Sequence, residues 1–282
     1  GNYNTALGTF SLYSLGNGSN NVSVGRSSLY NNNTSNNTAI GFEAAFANVS
    51  GIQITAVGFQ SLSNNTASYN TAVGYQSMAS NTTGDANTSL GRSSLLSNIS
   101  GVSNTALGFN TLYSNTNGSF NTAVGTNALT SGNGSNNTAL GSGALFNNTA
   151  SNNTAVGYEA GYSNTSGTGL TIIGYGAGYS NGTSNNNTAI GYLSLTSNTA
   201  SNNTAVGFEA GYSNTSGSVT ALGYQTLKNI TTGSSTSLGS QASLILTTGI
   251  LNVSVGANSN FLTSGTTASV VVGANASGGD SS

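Results

Sequence analysis

The sequence carries almost no charge, and it contains no cysteine, histidine, proline or tryptophan. Only 3% of its 282 residues are charged, three basic and five acidic, for a net charge of −2, whereas ordinary soluble domains have about 25% charged residues. Three cations cannot form a basic surface, so neither a nucleic acid nor an anionic membrane surface is an expected partner. The lack of cysteine excludes disulfides and thiolate metal sites.

Long apolar segments are also absent from the sequence. No run reaches the roughly 18 apolar residues that a membrane-spanning helix needs, and no signal peptide is visible. The chain opens inside a repeat, at residues 4–8 (NTALG). We therefore interpret it as a processed or partial segment of a longer protein.

Residues that carry out catalysis or bind metals are scarce. Without histidine, neither a catalytic triad nor a histidine metal site can form. The acids are Glu43, Asp85, Glu159, Glu209 and Asp280, too far apart in the repeat for a glycosidase-like carboxylate pair and without the regular aspartates of calcium-binding solenoids. We expect no catalytic residue, no cofactor and no metal site, and hence no enzyme.

A repeat fills the chain, and each copy is centred on a glycine. Every interval between successive anchor glycines is 16 or 17 residues, and the residue before each anchor is Leu, Val or Ile in all seventeen copies. Self-similarity at a fixed period is the sequence signature of repeat architectures such as solenoids. The anchors are Gly8, Gly25, Gly41, Gly58, Gly74, Gly91, Gly108, Gly125, Gly141, Gly157, Gly174, Gly191, Gly207, Gly223, Gly239, Gly256 and Gly273.

Positions are numbered from the anchor glycine, which is position 0. Position −3 is Thr in fourteen copies and Val in the other three, position −2 is usually Ala, and position −4 is Asn in twelve copies. A disordered tract does not require an aliphatic residue in register seventeen times, and a helical repeat would show a 3.6-residue apolar stripe. The alternation around a small residue favours a strand.

The repeat predicts an all-β parallel β-solenoid of about 17 coils of 16–17 residues, spanning residues 1–273, with 274–282 as a tail or linker. We expect positions −3 and −1 to face the interior and positions −2 and 0 to face outward. A second strand should follow, with Leu at +4 and aromatic residues at +1 and +5, before a turn rich in Asn, Ser, Thr and Gly. Stacked coils would place the Asn at −4 in an amide ladder.

So thin a coil holds few inward side chains. Ordering a residue costs about 1–2 kcal/mol, and burying a Val or Leu returns only about 1.5–3 kcal/mol. Because the aromatic columns and the Ala/Gly face would be exposed, we expect lateral association, most simply as a homotrimer with the Ala/Gly strand near its axis, or as a filament. The alternative is a monomeric solenoid whose aromatic side chains fill its own interior.

Two copies of the motif, NTAVGYEAG at 153–161 and NTAVGFEAG at 203–211, resemble the head repeats of trimeric autotransporter adhesins of the YadA type. They are also similar to repeat arrays in proteins that resemble phage tail fibres. The resemblance extends over the whole chain. It implies a left-handed parallel β-roll that is trimeric and lies on a cell or virion surface. The unit in this chain is longer than the family's usual one, and Thr at −3 usually replaces an apolar residue.

Asn-x-Ser/Thr sequons recur six or seven residues after the anchor, in the stretch where we expect an exposed turn. Such turns would offer glycans an attachment point. A second group, which includes Asn136 and Asn202, overlaps the Asn-Asn-Thr of the strand and is expected to be less accessible. The candidate glycosylation residues are Asn32, Asn48, Asn64, Asn81, Asn98, Asn147, Asn164, Asn181, Asn214 and Asn229.

The sequence favours an extracellular structural or adhesive fibre segment that displays a rigid and glycosylated surface. A host surface or glycans are further candidate partners, since columns of Tyr and Phe can stack on sugars. Two alternatives remain: a ligand-binding or ice-binding solenoid that uses the regular Thr column, and the shaft of a phage or virus tail fibre. Ice binding requires outward Thr ranks, which an inward position −3 would not provide.

Overall fold

The computed structural model describes residues 1–261 and 263–278 and shows an all-β parallel β-solenoid of about sixteen turns. The described residues contain no helix. The chain divides into two compact units, of which the first is Gly1–Ser142 and the second begins at Gly143. The predicted parallel β-solenoid is confirmed, and the seventeen anchor strands correspond to about sixteen turns.

Each coil contributes one strand, which ends at the residue before the anchor glycine. In the first unit all nine strands have three residues. They are β1 Thr5–Leu7, β2 Val22–Val24, β3 Thr38–Ile40, β4 Thr55–Val57, β5 Thr71–Val73, β6 Thr88–Leu90, β7 Thr105–Leu107, β8 Thr122–Val124 and β9 Thr138–Leu140.

The second unit repeats this arrangement and adds two short strands. The added strands, β17 and β19, pair with each other and form a separate two-stranded sheet. The strands are β10 Thr154–Val156, β11 Thr171–Ile173, β12 Thr188–Ile190, β13 Thr204–Val206, β14 Thr220–Leu222, β15 Ser235–Leu238, β16 Asn252–Val255, β17 Asn260–Phe261, β18 Val270–Val272 and β19 Ser277–Gly278.

Successive anchor strands within a unit pair in parallel and in register. Thr38 lies beside Thr55, and Thr55 lies beside Thr71. The backbone N–H of Thr55 donates to the Asn70 carbonyl at 2.9 Å, and that of Gly58 donates to the Ile40 carbonyl at 2.8 Å. β-Branched residues favour this extended backbone, which explains why position −3 is Thr or Val throughout.

The anchor must be glycine because the backbone of the next coil lies against it. At Gly58 the φ angle is +133°, and an added Cβ would lie 2.3 Å from the Gly74 carbonyl oxygen. Any side chain would therefore be strained by its conformation and would also collide with the neighbouring coil. This double restriction accounts for the seventeen glycines in register.

The predicted second strand is wrong for most coils, because the segment after the anchor is a series of turns. Gln60 at +2 and Leu62 at +4 both have a left-handed φ of about +50°, which interrupts an extended strand. Turn hydrogen bonds run from the Ser61 N–H to the Gly58 carbonyl at 3.4 Å and from the Asn65 N–H to the Leu62 carbonyl at 3.1 Å. The last two coils alone, with β17 and β19, form a strand here among the described residues.

The predicted orientation of the anchor strand is also wrong. From Ser23 to Val271 every residue at −2 is buried, while the residues at −3 and −1 are half-buried or exposed. In β5, Ala72 is fully buried between the more exposed Thr71 and Val73. The Leu at +4 already fills the apolar half of the coil, so only a small side chain fits opposite it.

The core therefore combines a small residue at −2 with Leu at +4 in most coils, and around Ile172 the two positions compensate in volume. Leu62, Leu95 and Leu112 at +4 are fully buried. Where +4 is glycine instead, at Gly161 and Gly178, the neighbouring residue at −2 is Ile172, whose Cδ1 would lie 3.1 and 2.8 Å from a Cβ at those glycines. At Gly211, which is also at +4, the neighbouring residue at −2 is Ala205, and the side chains of Leu195 and Val219 lie beside it instead.

Serine at −2 is accommodated by a second serine at +3. The Ser89 hydroxyl donates to the Ser94 carbonyl at 2.9 Å, and the Ser77 hydroxyl donates to the Ser89 hydroxyl at 2.8 Å. Ser254 similarly contacts Ser259, with 2.6 Å between the hydroxyl oxygens. A buried hydroxyl needs a partner, and in three of the four coils with serine at −2 a serine stands at +3. In the fourth, the Ser237 hydroxyl donates to the Ser243 hydroxyl at +4, at 3.0 Å.

The predicted Asn ladder at −4 is confirmed, and a second ladder lies at +7. At −4, the Asn104 Nδ2 donates to the Asn87 Oδ1 at 3.1 Å. At +7, the Asn98 Nδ2 donates to the Asn81 Oδ1 at 2.6 Å and to the Gly101 carbonyl at 3.0 Å. These asparagines are buried, so the polar half of the core is satisfied by amide-to-amide bonds repeated from coil to coil.

The +7 ladder ends where a coil lacks asparagine. The Oδ1 atoms of Asn115 and Asn214 are buried without a hydrogen-bond partner, and the next coils carry Gly132 and Ile230 at this position. Neither replacement offers a side-chain donor. The ladder is also interrupted at Asn65 and Asn198, whose Nδ2 atoms donate to the carbonyls of Ala67 and Ala200 in their own coils.

The proposed tail at 274–282 is described only in part. Ser277 pairs with Asn260 and Gly278 pairs with Phe261, so strand pairing extends past residue 273. Residues 279–282, including Asp280, lie outside the described part of the chain.

The first prediction concerns the +7 ladder. Replacing Asn98→Ala removes the donor to Asn81 Oδ1 and Gly101 O and the acceptor of Asn115 Nδ2. An unsatisfied buried polar group costs about 1–3 kcal/mol, so urea should unfold this variant at a clearly lower concentration. Asn33→Ala is the matched control, because Asn33 is exposed and the structure records no hydrogen bond of its side chain. Equal midpoints for the two variants would contradict the ladder's role.

The second prediction tests which side of the strand is inside. Ala72→Val should destabilise the protein by about 1–3 kcal/mol, because it overpacks a full interior. Val73→Thr, a change of similar shape at the adjacent outward position, should lower the free energy of unfolding by clearly less, because position −1 lies outside the core of the coil. Urea unfolding of both variants measures the difference, and a larger loss for Val73→Thr would reverse the assignment.

Candidate interaction surface

The outward residues of the anchor strand and the residue after the glycine form one surface, called here the outer face. It consists of three columns: Thr at −3, the aliphatic residue at −1 and the residue at +1, which is aromatic in most coils. Among these residues Leu90 is 50% exposed and Tyr75 is 47% exposed. Contiguous apolar surface of this kind is typical of interaction sites.

The Thr column is regular in both units. Seven threonines stand in register from β3 to β9, and six from β10 to β15. Strand pairing spaces them by about 4.8 Å. In the described structure no hydrogen bond of a hydroxyl in this column is recorded, so the column presents free hydroxyl groups to solvent.

The aromatic residues at +1 stack on one another. In the first unit, the ring centroids of Phe42 and Phe59 and those of Phe59 and Tyr75 lie 5.2 Å apart, with interplanar angles of 10° and 7°. In the second unit, five rings stack at 5.1–5.3 Å with interplanar angles of 6–17°. These five are Tyr158, Tyr175, Tyr192, Phe208 and Tyr224.

Arginine extends the stack in the first unit. Arg92 occupies +1 between two aromatic neighbours, with its guanidinium 5.8 Å from the Tyr75 ring centroid and 5.6 Å from that of Phe109. Arg26 lies 5.6 Å from the Phe42 ring centroid. Cation–π contacts at this distance are favourable, so the two arginines continue the column instead of forming an anion site.

This stacking bears on the expected contact with sugars. A sugar packs against the face of an aromatic ring, but the faces in these columns are covered by the neighbouring rings at about 5 Å. A second set of columns at +5 behaves in the same way, since Tyr162 stacks on Tyr179 with centroids 5.2 Å apart and an interplanar angle of 3°. Exposed ring edges, not faces, are what the outer face offers.

Beside the aromatic column, position +2 forms a glutamine ladder that begins at a glutamate. The Gln60 Nε2 donates to the Glu43 Oε2 at 2.9 Å, and the Gln76 Nε2 donates to the Gln60 Oε1 at 3.0 Å. Glu209 and Gln225 repeat the arrangement in the second unit at 2.8 Å. The glutamates therefore act as terminal acceptors of an amide chain, as befits a structural role.

The second of these glutamates also forms an ion pair. The Lys228 Nζ lies 2.6 Å from the Glu209 Oε2, and its hydrogen bond, with that of Gln225, lowers the pKa of the Glu209 carboxyl below its ordinary value although burial opposes the shift. In the same unit, a hydrogen bond from Tyr158 to Glu159 raises the pKa of the tyrosine. Both shifts arise from surface neighbours and stabilise the charge states present at neutral pH.

The ten candidate sequons fall into two structural classes, which sequence spacing did not separate. Three lie at +6, where the asparagine is exposed or half-buried: Asn64, Asn147 and Asn229. The other seven lie at +7 and are buried: Asn32, Asn48, Asn81, Asn98, Asn164, Asn181 and Asn214.

The expectation of an exposed turn is therefore wrong for the seven asparagines at +7. The Nδ2 of Asn164, for example, donates to Asn148 Oδ1 at 2.6 Å and to the Gly167 carbonyl at 3.0 Å. An amide nitrogen engaged inside the core cannot carry a glycan in the folded protein. At +6 the side chain instead lies on the outside, as where Asn64 Nδ2 contacts the Ala79 carbonyl at 2.9 Å.

The second group of sequons is more accessible than the sequence predicted. Asn136 and Asn202, which were expected to be less accessible, lie at −5 and are exposed. Their φ angles of 58° and 64° place them in the left-handed region, which asparagine tolerates better than most residues. The chain turns there, so the −5 side chain points outward while the Asn at −4 points into the core.

Two searches for functional features cover the described residues. No group of three or more His, Cys, Asp or Glu side chains that could hold a metal is found in this part of the chain. Nor do the described ranges contain an α-helix with the length and hydrophobicity of a bilayer span.

Comparisons with known proteins give no family. No protein-family model, no curated protein and no solved structure matches the chain. The outer face is therefore interpreted from its own chemistry.

The sequence contained a signal for the outward column that the initial orientation missed. Position −2 is restricted to small residues in nearly every coil, whereas −1 varies among Leu, Val and Ile. A position that accepts only small side chains is expected to lie in a close-packed interior, whereas a position that accepts side chains of several shapes is expected to face outward. The serine pairs at −2 and +3 point the same way, because two hydroxyls that occur together suggest mutual contact.

Proposed function

We propose that the chain is a non-enzymatic structural segment of an extracellular fibre, on a cell or virion surface, and that it assembles laterally through its outer face. The observation that supports this proposal most strongly is the outward aliphatic column beside stacked aromatic rings. The segment presents a rigid surface, either as an adhesive head or as the shaft of a tail fibre.

The partner that suits the outer face best is a second copy of the same chain. Its columns repeat at about 4.8 Å, and only a surface with the same repeat can match side chain to side chain over many coils. Arg26 and Arg92 are the charged residues of these columns, and both are engaged with aromatic rings. Little electrostatic repulsion therefore opposes self-association.

The finer architecture belongs to the same proposal. Resemblance to the adhesin head repeats supports a left-handed roll and a trimer. The axis would be lined by positions −1 and +1 and not by the Ala/Gly strand, because the alanines are buried within each coil. Obligate interfaces between identical chains are rich in such apolar residues.

Lateral association makes a direct prediction for the mass in solution. Sedimentation equilibrium should give three times the 27.8 kDa of one chain. The variant Val73→Thr/Leu90→Thr/Leu107→Thr should dissociate, because it replaces the aliphatic residues at −1 of three consecutive coils with polar side chains that still favour a strand.

The matched control changes the same three coils on another side. Ser80→Thr/Ser97→Thr/Ser114→Thr alters position +6, away from the outer face, and should leave the trimer intact. A folded wild-type chain that remains monomeric at micromolar concentration would overturn the assembly, and so would a triple variant of the outer face that keeps its mass.

Ice binding is a second candidate function. It requires threonines that face outward, and position −3 does face outward in this structure. Thirteen hydroxyls in two regular runs, next to the methyl groups of position −1, form an array that can order water or bind ice. If the outer face is an interface, it is covered in the assembly and cannot serve this purpose.

Thermal hysteresis distinguishes the two candidates. For the fibre segment we expect melting and freezing temperatures to coincide. A gap between them that disappears in Thr88→Leu/Thr105→Leu/Thr122→Leu, but survives in the +6 control variant, would favour ice binding instead.

A further inference from the structure

Most of the exposed asparagines at −5 are also the first residue of a sequon. Five of them begin an Asn-Asn-Thr sequon in which the first Asn and the Thr both face outward and the middle Asn is buried. Their φ angles lie between 56° and 64°. They are Asn36, Asn136, Asn152, Asn186 and Asn202.

The reactive groups of this sequon are free in four of the five copies. The Nδ2 of Asn186 donates to the Asn202 Oδ1 at 3.2 Å, but for the other four no hydrogen bond of Nδ2 is recorded in the described structure. The Thr hydroxyl at −3 is also free. In the +6 sequons, by contrast, the hydroxyl of Thr66, Thr149 or Thr231 donates to a carbonyl of the next coil.

The surface also lacks the usual means of staying hydrated. Charged residues make up 3% of the chain, whereas soluble surfaces carry roughly 25–35%. A bulky and hydrophilic modification on the exposed asparagines at −5 would hydrate the assembled fibre and keep it from aggregating further.

We infer that the −5 column is the N-glycosylation site of this protein, with Asn36, Asn136, Asn152 and Asn202 as acceptors. The sugar donor is a glycosyl phosphate or pyrophosphate. A C1–Nδ2 bond forms, the C1–O bond to phosphate breaks, the phosphate leaves with the electron pair, and a transferase base takes the amide proton. The inference rests on the proposed function only in requiring an extracellular location.

Neighbouring acceptors restrict one another. Asn186 and Asn202 occupy adjacent coils and touch through their side-chain amides, so there is no room for a glycan on both. Asn202 is the acceptor of this pair because the nitrogen of Asn186 is engaged. The same geometry predicts that at most one of the two is occupied in any molecule.

The experiment is glycopeptide mass spectrometry of the full chain secreted from a eukaryotic host. Expected are glycans on Asn36 and Asn202 and on at least one of Asn136 and Asn152, which belong to consecutive repeats, and none on the seven asparagines at +7. Replacing the four acceptors with Gln should remove the glycan mass and leave the fold unchanged, because these side chains lie outside the core. Glycans confined to sequons outside −5, whether at +6, at +7 or on the exposed Asn17, Asn117 and Asn133, would overturn the inference, and so would a secreted folded chain without any glycan.

Two gain-of-sequon variants provide a matched pair. Gln53→Asn creates a sequon at −5, before Ile54 and Thr55, and should add one glycan. Ala200→Ser creates a sequon on Asn198, which is buried at +7, and should leave Asn198 unmodified in the folded product. Modification of Asn198 without modification at 53 would contradict the role of the −5 column.

These outcomes are independent of the assembly state. A trimeric protein without glycans would reject the modification and leave the fibre proposal standing. A glycosylated protein that remains monomeric would support the modification and reject the lateral assembly.

Discussion

The narrow cross-section of the coil is the constraint on which the other features depend. Sixteen or seventeen residues enclose room for one large apolar side chain, one small residue and two amides. Leu at +4 takes the large place, Ala or Ser at −2 the small one, and the asparagines at −4 and +7 close the polar side. Everything larger is directed outward, so the surface bears aliphatic and aromatic columns that a wider solenoid would bury.

Two kinds of interaction maintain this arrangement. Leucine burial contributes about 1.5–3 kcal/mol for each side chain, but at +4 it is accompanied by a left-handed backbone that costs of the order of 1–3 kcal/mol. Where Leu occupies this left-handed position, the two terms nearly cancel, and the apolar half of the core contributes little net free energy to folding. The amide ladders and the in-register strands hold the coils together, and this explains why asparagine is as regular in the repeat as the aliphatic residue.

Period, strand position, parallel stacking and the −4 ladder were all predictable from the sequence, because each appears as a residue type at a fixed spacing. The inside and outside of the strand were not, since alternation alone fits either orientation and the deciding fact is the volume left by Leu62 and its equivalents. The left-handed φ at +2 and +4 carries no residue signature, because Leu, Gln and Glu occupy it. The difference between Asn64 and Asn81, one residue further from the anchor, likewise depends on that backbone.

The amide ladders have a direction. In each link the Nδ2 of the later coil donates to the Oδ1 of the earlier one, as from Asn48 to Asn32 and from Asn98 to Asn81, and the glutamine ladder runs the same way towards Glu43. A coil that emerges from the ribosome thus meets acceptors that its predecessor has already fixed in place. The chain can be completed one turn at a time during synthesis, each turn serving as the template for the next.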